Sequence, residues 1–160
     1  MGKCILVNIG EKAPEFTLPD MDLKNQNLRD QIGKRNIVLA FFPLAFSPVC
    51  TKEMCSFRDS QPDLNNLDAQ VIGISVDSPF TLKAFAQQEG YKFLFLSDFN
   101  RDVSKLYGVL HEEALGFRGI SKRSIFIIDK KGTIRYKWVS EDPRKEPDYQ
   151  TVKQALEKLS

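Results

Sequence analysis

The sequence contains very little cysteine and histidine. Among its 160 residues are three cysteines and one histidine. A small secreted scaffold that depends on disulfides carries a denser and usually even set of cysteines. A zinc site is also disfavoured, because Cys50 and Cys55 are spaced a little too widely for a metal clip, Cys4 is distant, and His111 is the only imidazole. A close cysteine pair in such a chain is more typical of a reactive thiol.

Long apolar runs and an excess of one charge are also missing. No segment approaches the roughly 20 apolar residues of a membrane span, and the start MGKCILVNIGEK lacks the apolar region of a signal peptide. The 23 basic residues are scattered among 21 acidic ones, for a net charge of +2. These absences predict a cytoplasmic protein whose partners are neither membranes nor nucleic acids.

The length and the hydrophobic content of 42% predict a single domain over residues 1–160. Alternation in Glu15–Leu18 and the polar, turn-rich Asp20–Asn27 predict an N-terminal hairpin. The continuous apolar runs Asn36–Phe42 and Ala69–Val76 are typical of strands covered on both faces. With a helix between them, these two strands should pair in parallel through a right-handed crossover.

The rest of the chain continues the alternation of strands and helices. A turn at Asp129–Gly132 predicts an antiparallel hairpin. A βαβ unit followed by a ββα unit predicts an α/β protein with a thioredoxin-like fold, in which helices flank a central mixed β-sheet and the N-terminal hairpin is an extension. The further predicted elements are a helix opened by Ser78 and Pro79 through Glu89, a strand at Phe93–Leu96, a short helix at Arg101–Tyr107, strands at Ser124–Ile128 and Thr133–Val139, and a helix at Asp148–Leu159.

The segment after the first apolar run places a cysteine at the start of a helix. Ser47 is suited to the N-cap and Pro48 to the first helical position, which predicts a helix to about Leu67. The sulfur of Cys50 would then lie near unpaired backbone N–H groups and the positive end of the helix dipole, both of which favour the nucleophilic thiolate. Taken alone, Cys50 could equally be a small apolar residue on the buried face.

The neighbouring residues form a longer motif. Pro43, Ser47 and Cys50 give the pattern P-x-x-x-S-x-x-C directly after a hydrophobic strand, and here the sequence resembles the peroxiredoxin (AhpC/TSA) family. The resemblance extends over nearly the whole chain and rests on GEKAPEFTLPD at Gly10–Asp20, FFP to CTKE at Phe41–Glu53, FRD at Phe57–Asp59, ISVDSP at Ile74–Pro79 and KRSIFIIDKKGTI at Lys122–Ile134.

This resemblance implies an enzyme that reduces hydrogen peroxide and alkyl hydroperoxides. By the match, Cys50 is the peroxidatic residue that attacks a peroxide oxygen and becomes sulfenic acid, Pro43 shields it, and Ser47 binds the peroxide in place of the more usual threonine. Arg123 matches the arginine that holds the thiolate and polarises the peroxide, and Glu53 matches a glutamate that orients the arginine. Without the resemblance, the two would be a surface charge at a strand end and a solvated helix residue.

The role of Cys55 depends on the helix. In a regular helix, five residues separate two Cα atoms by about 8–9 Å, whereas a disulfide needs them within about 7 Å. Cys50 and Cys55 can therefore bond only if the first turns unwind. The segment CTKEMCSFRD resembles the bacterioferritin comigratory protein or peroxiredoxin Q subclass, which implies that Cys55 resolves the sulfenic acid as an intrasubunit disulfide that a thioredoxin-like donor reduces.

Alternatives remain at this point. The chain could use Cys50 alone with an external small thiol, or act as a non-catalytic redox sensor. A dithiol oxidoreductase would want C-x-x-C, but position 53 is Glu53. No cofactor and no metal are expected, and the resemblance implies a monomer or homodimer. Cys4 is interpreted as a free or half-buried thiol, and His111 as a surface loop residue.

Overall fold

The chain alternates short strands with helices. The computed structural model describes residues 7–159, so Cys4 lies outside the described residues. Within that range, no helix has the length and apolar character needed to cross a membrane. The elements in chain order are β1 (Thr17–Pro19), β2 (Asn25–Asn27), α1 (Leu28–Gln31), β3 (Asn36–Phe41), α2 (Pro48–Asp59), α3 (Gln61–Asn66), β4 (Ala69–Ser75), α4 (Pro79–Glu89), β5 (Leu94–Ser97), α5 (Asp102–Leu106), β6 (Ser124–Ile128), β7 (Ile134–Val139) and α6 (Tyr149–Glu157).

Five strands form a mixed sheet in the order β5-β4-β3-β6-β7. β3 pairs in parallel with β4, and β4 pairs in parallel with β5. β6 is antiparallel to both β3 and β7. The hairpin β1–β2 forms its own two-stranded sheet. The predicted α/β architecture, with a central mixed sheet, flanking helices and an N-terminal hairpin, is therefore confirmed.

The sheet separates two apolar layers, because successive side chains of a strand point to opposite faces. Val38 and Ala40 of β3 face the layer built with α2, α4 and α6, which includes Cys50. Ile37 and Leu39 face the opposite layer, built with the N-terminal segment and α5. Cys50 thus lies between its helix and the sheet, at the edge where β3 ends.

The helix that carries Cys50 is shorter than the sequence predicts. Instead of running to Leu67, it ends at Asp59, and a second helix, α3, begins at Gln61 after Ser60. Proline explains the break, because Pro62 has no N–H to bond to the carbonyl of Arg58 and its ring would crowd that carbonyl in a continuous helix. The interruption lies more than two turns beyond Cys50 and leaves the reactive end of α2 regular.

Candidate active site

A residue that follows the neighbouring strand β4 holds the loop between β3 and α2 in place. Asp77, just after β4, accepts hydrogen bonds from the backbone N–H of Ala45 at 2.7 Å and from the hydroxyl of Ser75 at 2.6 Å. Parallel strands end at the same sheet edge, so Asp77 can reach this loop. Pro43 is buried at the start of the loop. The loop therefore enters α2 along a fixed path.

Phe46 adopts a left-handed backbone conformation one residue before the N-cap of α2. Its φ is +68°, a region that side chains with a Cβ seldom occupy. The ring packs against Phe85 of α4, with 5.1 Å between ring centroids. This contact helps to hold the sharp turn that directs the chain into the helix.

Cys50 lies in the first turn of α2 and is completely buried. The Nη2 atom of Arg123 donates a hydrogen bond to its sulfur at 3.2 Å. Burial raises the pKa of the Cys50 thiol above its ordinary value. The Arg123 guanidinium opposes this rise most strongly, followed by the hydroxyl of Ser47 and the backbone of Leu44. Arg123 is thus the principal group in the site that favours the thiolate.

Arg123 reaches the sulfur because of strand register. Ser124 pairs with Phe41, the last residue of β3, so the residue before Ser124 comes beside the loop that follows β3. Only 1% of Arg123 is exposed. Its Nη1 atom donates to Oε1 of Glu53 at 2.9 Å, and its Nε and Nη2 atoms donate to the carbonyl oxygen of Pro143 at 3.3 and 2.7 Å. Together with the sulfur of Cys50, these two partners fix the plane of the guanidinium.

Glu53 is a fully buried carboxylate. Burial raises the pKa of Glu53 to about 7, and the attraction and hydrogen bond of Arg123 only partly offset the effect. Among the described residues, its second oxygen, Oε2, has no hydrogen-bond partner. The nearby charge of Glu53 also raises the pKa of Cys50. Glu53 therefore orients Arg123 and, when ionised, partly counteracts the effect of Arg123 on the sulfur.

The loop at residues 140–148 is fastened to α2, and this places the Pro143 carbonyl. Lys52 of α2 forms an ion pair with Glu146 at 3.0 Å. The hydroxyl of Tyr149 donates to the other oxygen of Glu146 at 2.8 Å, and the Tyr149 ring packs edge-on against Phe57 at 5.6 Å. The loop whose Pro143 carbonyl accepts from Arg123 is thus held by contacts with α2, the helix that carries the thiol.

Ser47 occupies the N-cap position of α2, as predicted, but its side chain does not cap the helix. Its hydroxyl donates to the carbonyl of Leu44 at 2.7 Å. It is also close enough to Cys50 for a hydrogen bond from it to lower the pKa of the thiol. A hydroxyl that can turn between a carbonyl and the sulfur is suited to donate to an oxygen bound beside Cys50.

Cys55 lies on another side of α2, half-buried, and neither it nor Cys50 is in a disulfide. Its sulfur is 3.2 Å from the hydroxyl oxygen of Tyr91 and 3.8 Å from Oε2 of Glu89. The sulfur of Cys55 therefore faces polar groups, as predicted for this side of α2. The residue also packs against the edge of the hydrophobic core.

The structure corrects the interpretation of His111, which is only 5% exposed and not a surface residue. A bridge between Leu110 and Ser121 folds this segment inward. Burial and the charge of Lys122 lower the pKa of His111, and its Nε2 has no hydrogen-bond partner among the described residues. Within residues 7–159, its hydrogen bonds are to the backbone of Gly119 and Ile120, and none of them joins the thiol site.

Two groups of the site are not predicted from the sequence. The Pro143 carbonyl belongs to the backbone and leaves no side-chain signal, whereas Asp77 is visible only as a polar residue after a buried strand. The burial of Glu53 did have a signal, because position 53 lies three residues after Cys50 and four before Phe57 on the apolar face. Within residues 7–159, no group of three His, Cys, Asp or Glu side chains is placed to hold a metal ion.

Known proteins resemble this chain in both sequence and structure. The AhpC/TSA family profile matches residues 9–137. The chain is 41% identical over 133 residues to alkyl hydroperoxide reductase E of Mycobacterium tuberculosis, covering 82% of this chain and 84% of that protein. It is similar in structure to peroxidoxin BcpB from Mycobacterium tuberculosis, with a TM-score of 0.84, 28% identity and coverage of 95% and 97% of the two chains. A peroxiredoxin-like protein from Aquifex aeolicus has a TM-score of 0.85 at 28% identity, with coverage of 97% and 89%.

Proposed function

Because this chain belongs to the AhpC/TSA family of peroxiredoxins, we propose that its thiol-dependent reduction of peroxides begins at Cys50 and is completed through Cys55. The observation that supports this most is the buried contact of 3.2 Å between Arg123 and the sulfur of Cys50. A permanent cation that donates to a buried sulfur favours the thiolate, which is the form that attacks peroxides.

In the first step, the Cys50 thiolate attacks one peroxide oxygen. An S–O bond forms, the O–O bond breaks, and the sulfur is oxidised to sulfenic acid while the other oxygen takes a proton and leaves as water or an alcohol. Arg123 stabilises the negative charge that develops on the oxygens. The Ser47 hydroxyl donates to the bound peroxide, and Pro43 shields the sulfur from solvent. Glu53 keeps the guanidinium oriented.

In the second step, the sulfur of Cys55 attacks the sulfur of Cys50. An S–S bond forms, and the hydroxyl group of the sulfenic acid leaves with a proton as water. The first turns of α2 must unwind for this, because a regular helix keeps the two residues too far apart. A thioredoxin-like donor then supplies two electrons and two protons and restores both thiols.

The proposal extends to substrates and assembly. Hydrogen peroxide and alkyl hydroperoxides are the proposed substrates. The sparse, odd set of three cysteines supports a reducing compartment such as the cytoplasm. Phe46 and Phe117 are 44% and 54% exposed, which is consistent with a monomer or with a homodimer that covers them.

The test is to mix the reduced protein with one equivalent of peroxide, follow the fluorescence of Trp138, and then measure intact mass. We expect the wild type to lose two hydrogens, Cys55→Ser to stop at sulfenic acid, and Cys50→Ser to remain unchanged. Rapid peroxide consumption by Cys50→Ser would refute the assignment of the nucleophile. A wild type that gains oxygen without forming the disulfide would instead support a one-cysteine enzyme with an external thiol.

Turnover separates the enzyme from a redox sensor. With a thioredoxin-like donor in excess, the enzyme consumes many equivalents of peroxide per protein chain. A sensor would react once and then accumulate in the oxidised form.

A further inference from the structure

Tyr91 contacts the first turns of α2 at two points. Its hydroxyl oxygen is 3.2 Å from the carbonyl oxygen of Thr51 and 3.2 Å from the sulfur of Cys55. A phenolic hydroxyl has a single hydrogen. When it donates that hydrogen to the carbonyl of Thr51, its oxygen is left to accept from the thiol of Cys55. One side chain thus joins both ends of the helical turn between Thr51 and Cys55.

The Tyr91 ring is held firmly by its surroundings. Tyr91 follows Gly90, which ends α4 in a left-handed conformation with φ +71°. Its ring packs against Phe85 at 5.1 Å and stacks with Phe93 at 5.6 Å, and both of these residues lie outside α2. Only 6% of Tyr91 is exposed. The hydroxyl therefore cannot follow α2 when that helix unwinds.

The hydrogen bond to Thr51 matters because of where Thr51 lies. It is the residue directly after Cys50, so any movement that carries the Cys50 sulfur to Cys55 must displace the Thr51 carbonyl from Tyr91. We propose that Tyr91 is a positioning residue for the disulfide step: its hydroxyl stabilises the wound form of α2 and thereby limits the rate at which Cys55 reaches oxidised Cys50. This inference rests on the proposed role of Cys55 as the resolving cysteine.

The expected change in the rate of the disulfide step follows from the loss of the hydrogen bond made by the Tyr91 hydroxyl. A typical intramolecular hydrogen bond contributes about 1 kcal/mol net, which corresponds to roughly a fivefold change in an equilibrium constant. Tyr91→Phe removes only the hydroxyl and keeps the ring contacts. We therefore expect the disulfide of Tyr91→Phe to form about fivefold faster. Its sulfenic acid should be oxidised further to sulfinic acid less often, because the two reactions compete for the same intermediate.

Tyr107→Phe is a matched control. Tyr107 is also buried, with its hydroxyl donating to the carbonyl of Pro14 at 2.7 Å, but it lies in the layer on the other side of the sheet. The experiment mixes each reduced protein with peroxide, quenches with acid at intervals, and counts the remaining thiols by mass after alkylation. We expect acceleration of the disulfide step in Tyr91→Phe alone, with the preceding formation of sulfenic acid changed by less than about twofold in both variants.

A second measurement reports how stable the wound form of α2 is in the absence of peroxide. In the reduced protein, amide hydrogen exchange over residues 51–55 should be about fivefold faster in Tyr91→Phe than in the wild type or in Tyr107→Phe. Unchanged exchange together with an unchanged or slower disulfide step would overturn the inference. If the wild type never forms the Cys50–Cys55 disulfide, the proposed function fails at its second step, and the exchange measurement still decides whether Tyr91 stabilises the turn.

Discussion

Arg123 donates a hydrogen bond to the sulfur of Cys50 at 3.2 Å across a separation of 73 residues in the chain. The same guanidinium is bound by Glu53 from the helix that carries the thiol and by the Pro143 carbonyl from a distant loop. The position of one cation therefore depends on a strand, a helix and a loop at once. Changes at any of these three elements should affect the reactivity of Cys50.

Replacing Arg123 by methionine should slow the reaction of Cys50 with peroxide by roughly 100-fold or more, the size of effect seen when one stabilising donor is removed from a reacting centre. Arg123→Lys keeps the charge but not the forked geometry, so it should retain more activity than Arg123→Met. Single-turnover stopped-flow fluorescence measures both rates. Arg135→Met is the control, because Arg135 is half-exposed and pairs with Asp129. A rate for Arg123→Met equal to that of the control would contradict the role of the cation.

Glu53→Gln should shift the reactivity of Cys50 to lower pH. The negative charge of Glu53 raises the pKa of the Cys50 thiol, and glutamine removes the charge while keeping an oxygen for Arg123. The pH dependence of alkylation of Cys50 measures the shift. Glu15→Gln, at an exposed pair with Arg29, should leave the profile in place. A shift to higher pH would mean that orienting Arg123 outweighs the charge of Glu53.

Glu53 should also make stability depend on pH. Its pKa in the folded protein is raised from 4.5 to about 7, so folding favours the protonated form. This contribution is complete below pH 4.5 and is lost as the pH rises through about 7. We expect the free energy of unfolding of the wild type, relative to Glu53→Gln, to decrease between pH 5 and 8. Urea unfolding of the reduced proteins measures it, and a difference that is constant over this range would contradict the raised pKa of Glu53.

Glu146→Ala should lower the rate of the peroxide step by about three- to tenfold. The substitution removes an ion pair with the exposed Lys52 and a hydrogen bond from Tyr149, which together amount to about 0.7–1.4 kcal/mol of support for the loop that carries Pro143. Arg144→Ala tests the same loop at an exposed pair with Asp142 and should have little effect. Equal losses in the two variants would indicate that the loop responds to any change, not to its attachment to α2.

Gly73→Ala should destabilise the protein by about 1–3 kcal/mol, as expected for overpacking. A Cβ at this position of β4 would lie 2.8 Å from two ring atoms of Phe95 and 3.3 Å from the ring of Phe42. Urea unfolding measures the loss. The double variant with Phe95→Leu should lose less than the sum of the single variants, because the smaller side chain leaves room for the methyl group. If the losses in free energy of unfolding were strictly additive, the added methyl group would not be clashing with the Phe95 ring.

Local patterns are enough to predict most of the fold. The apolar runs at Asn36–Phe42 and Ala69–Val76 correspond to β3 and β4, since a strand covered on both faces needs apolar side chains in both directions. Ser78 and Asp148 cap their helices through hydrogen bonds to backbone N–H groups. The prediction of one helix to Leu67 is wrong, because Pro62 has no N–H for the carbonyl of Arg58 and the helix ends at Asp59.

The candidate site is less completely predictable from the sequence than the fold is. Local sequence is enough to place Cys50 in the first turn of a helix after a buried strand, because the hydrophobic pattern, the N-cap residue and the proline act within a few positions of one another. The family resemblance further implies that Arg123 holds the thiolate and that Glu53 orients Arg123. The Pro143 carbonyl as a partner of Arg123, and the contacts of the Tyr91 hydroxyl with Thr51 and Cys55, are visible only in the folded chain. These contacts depend on strand register and on the packing of distant segments, which no local pattern specifies.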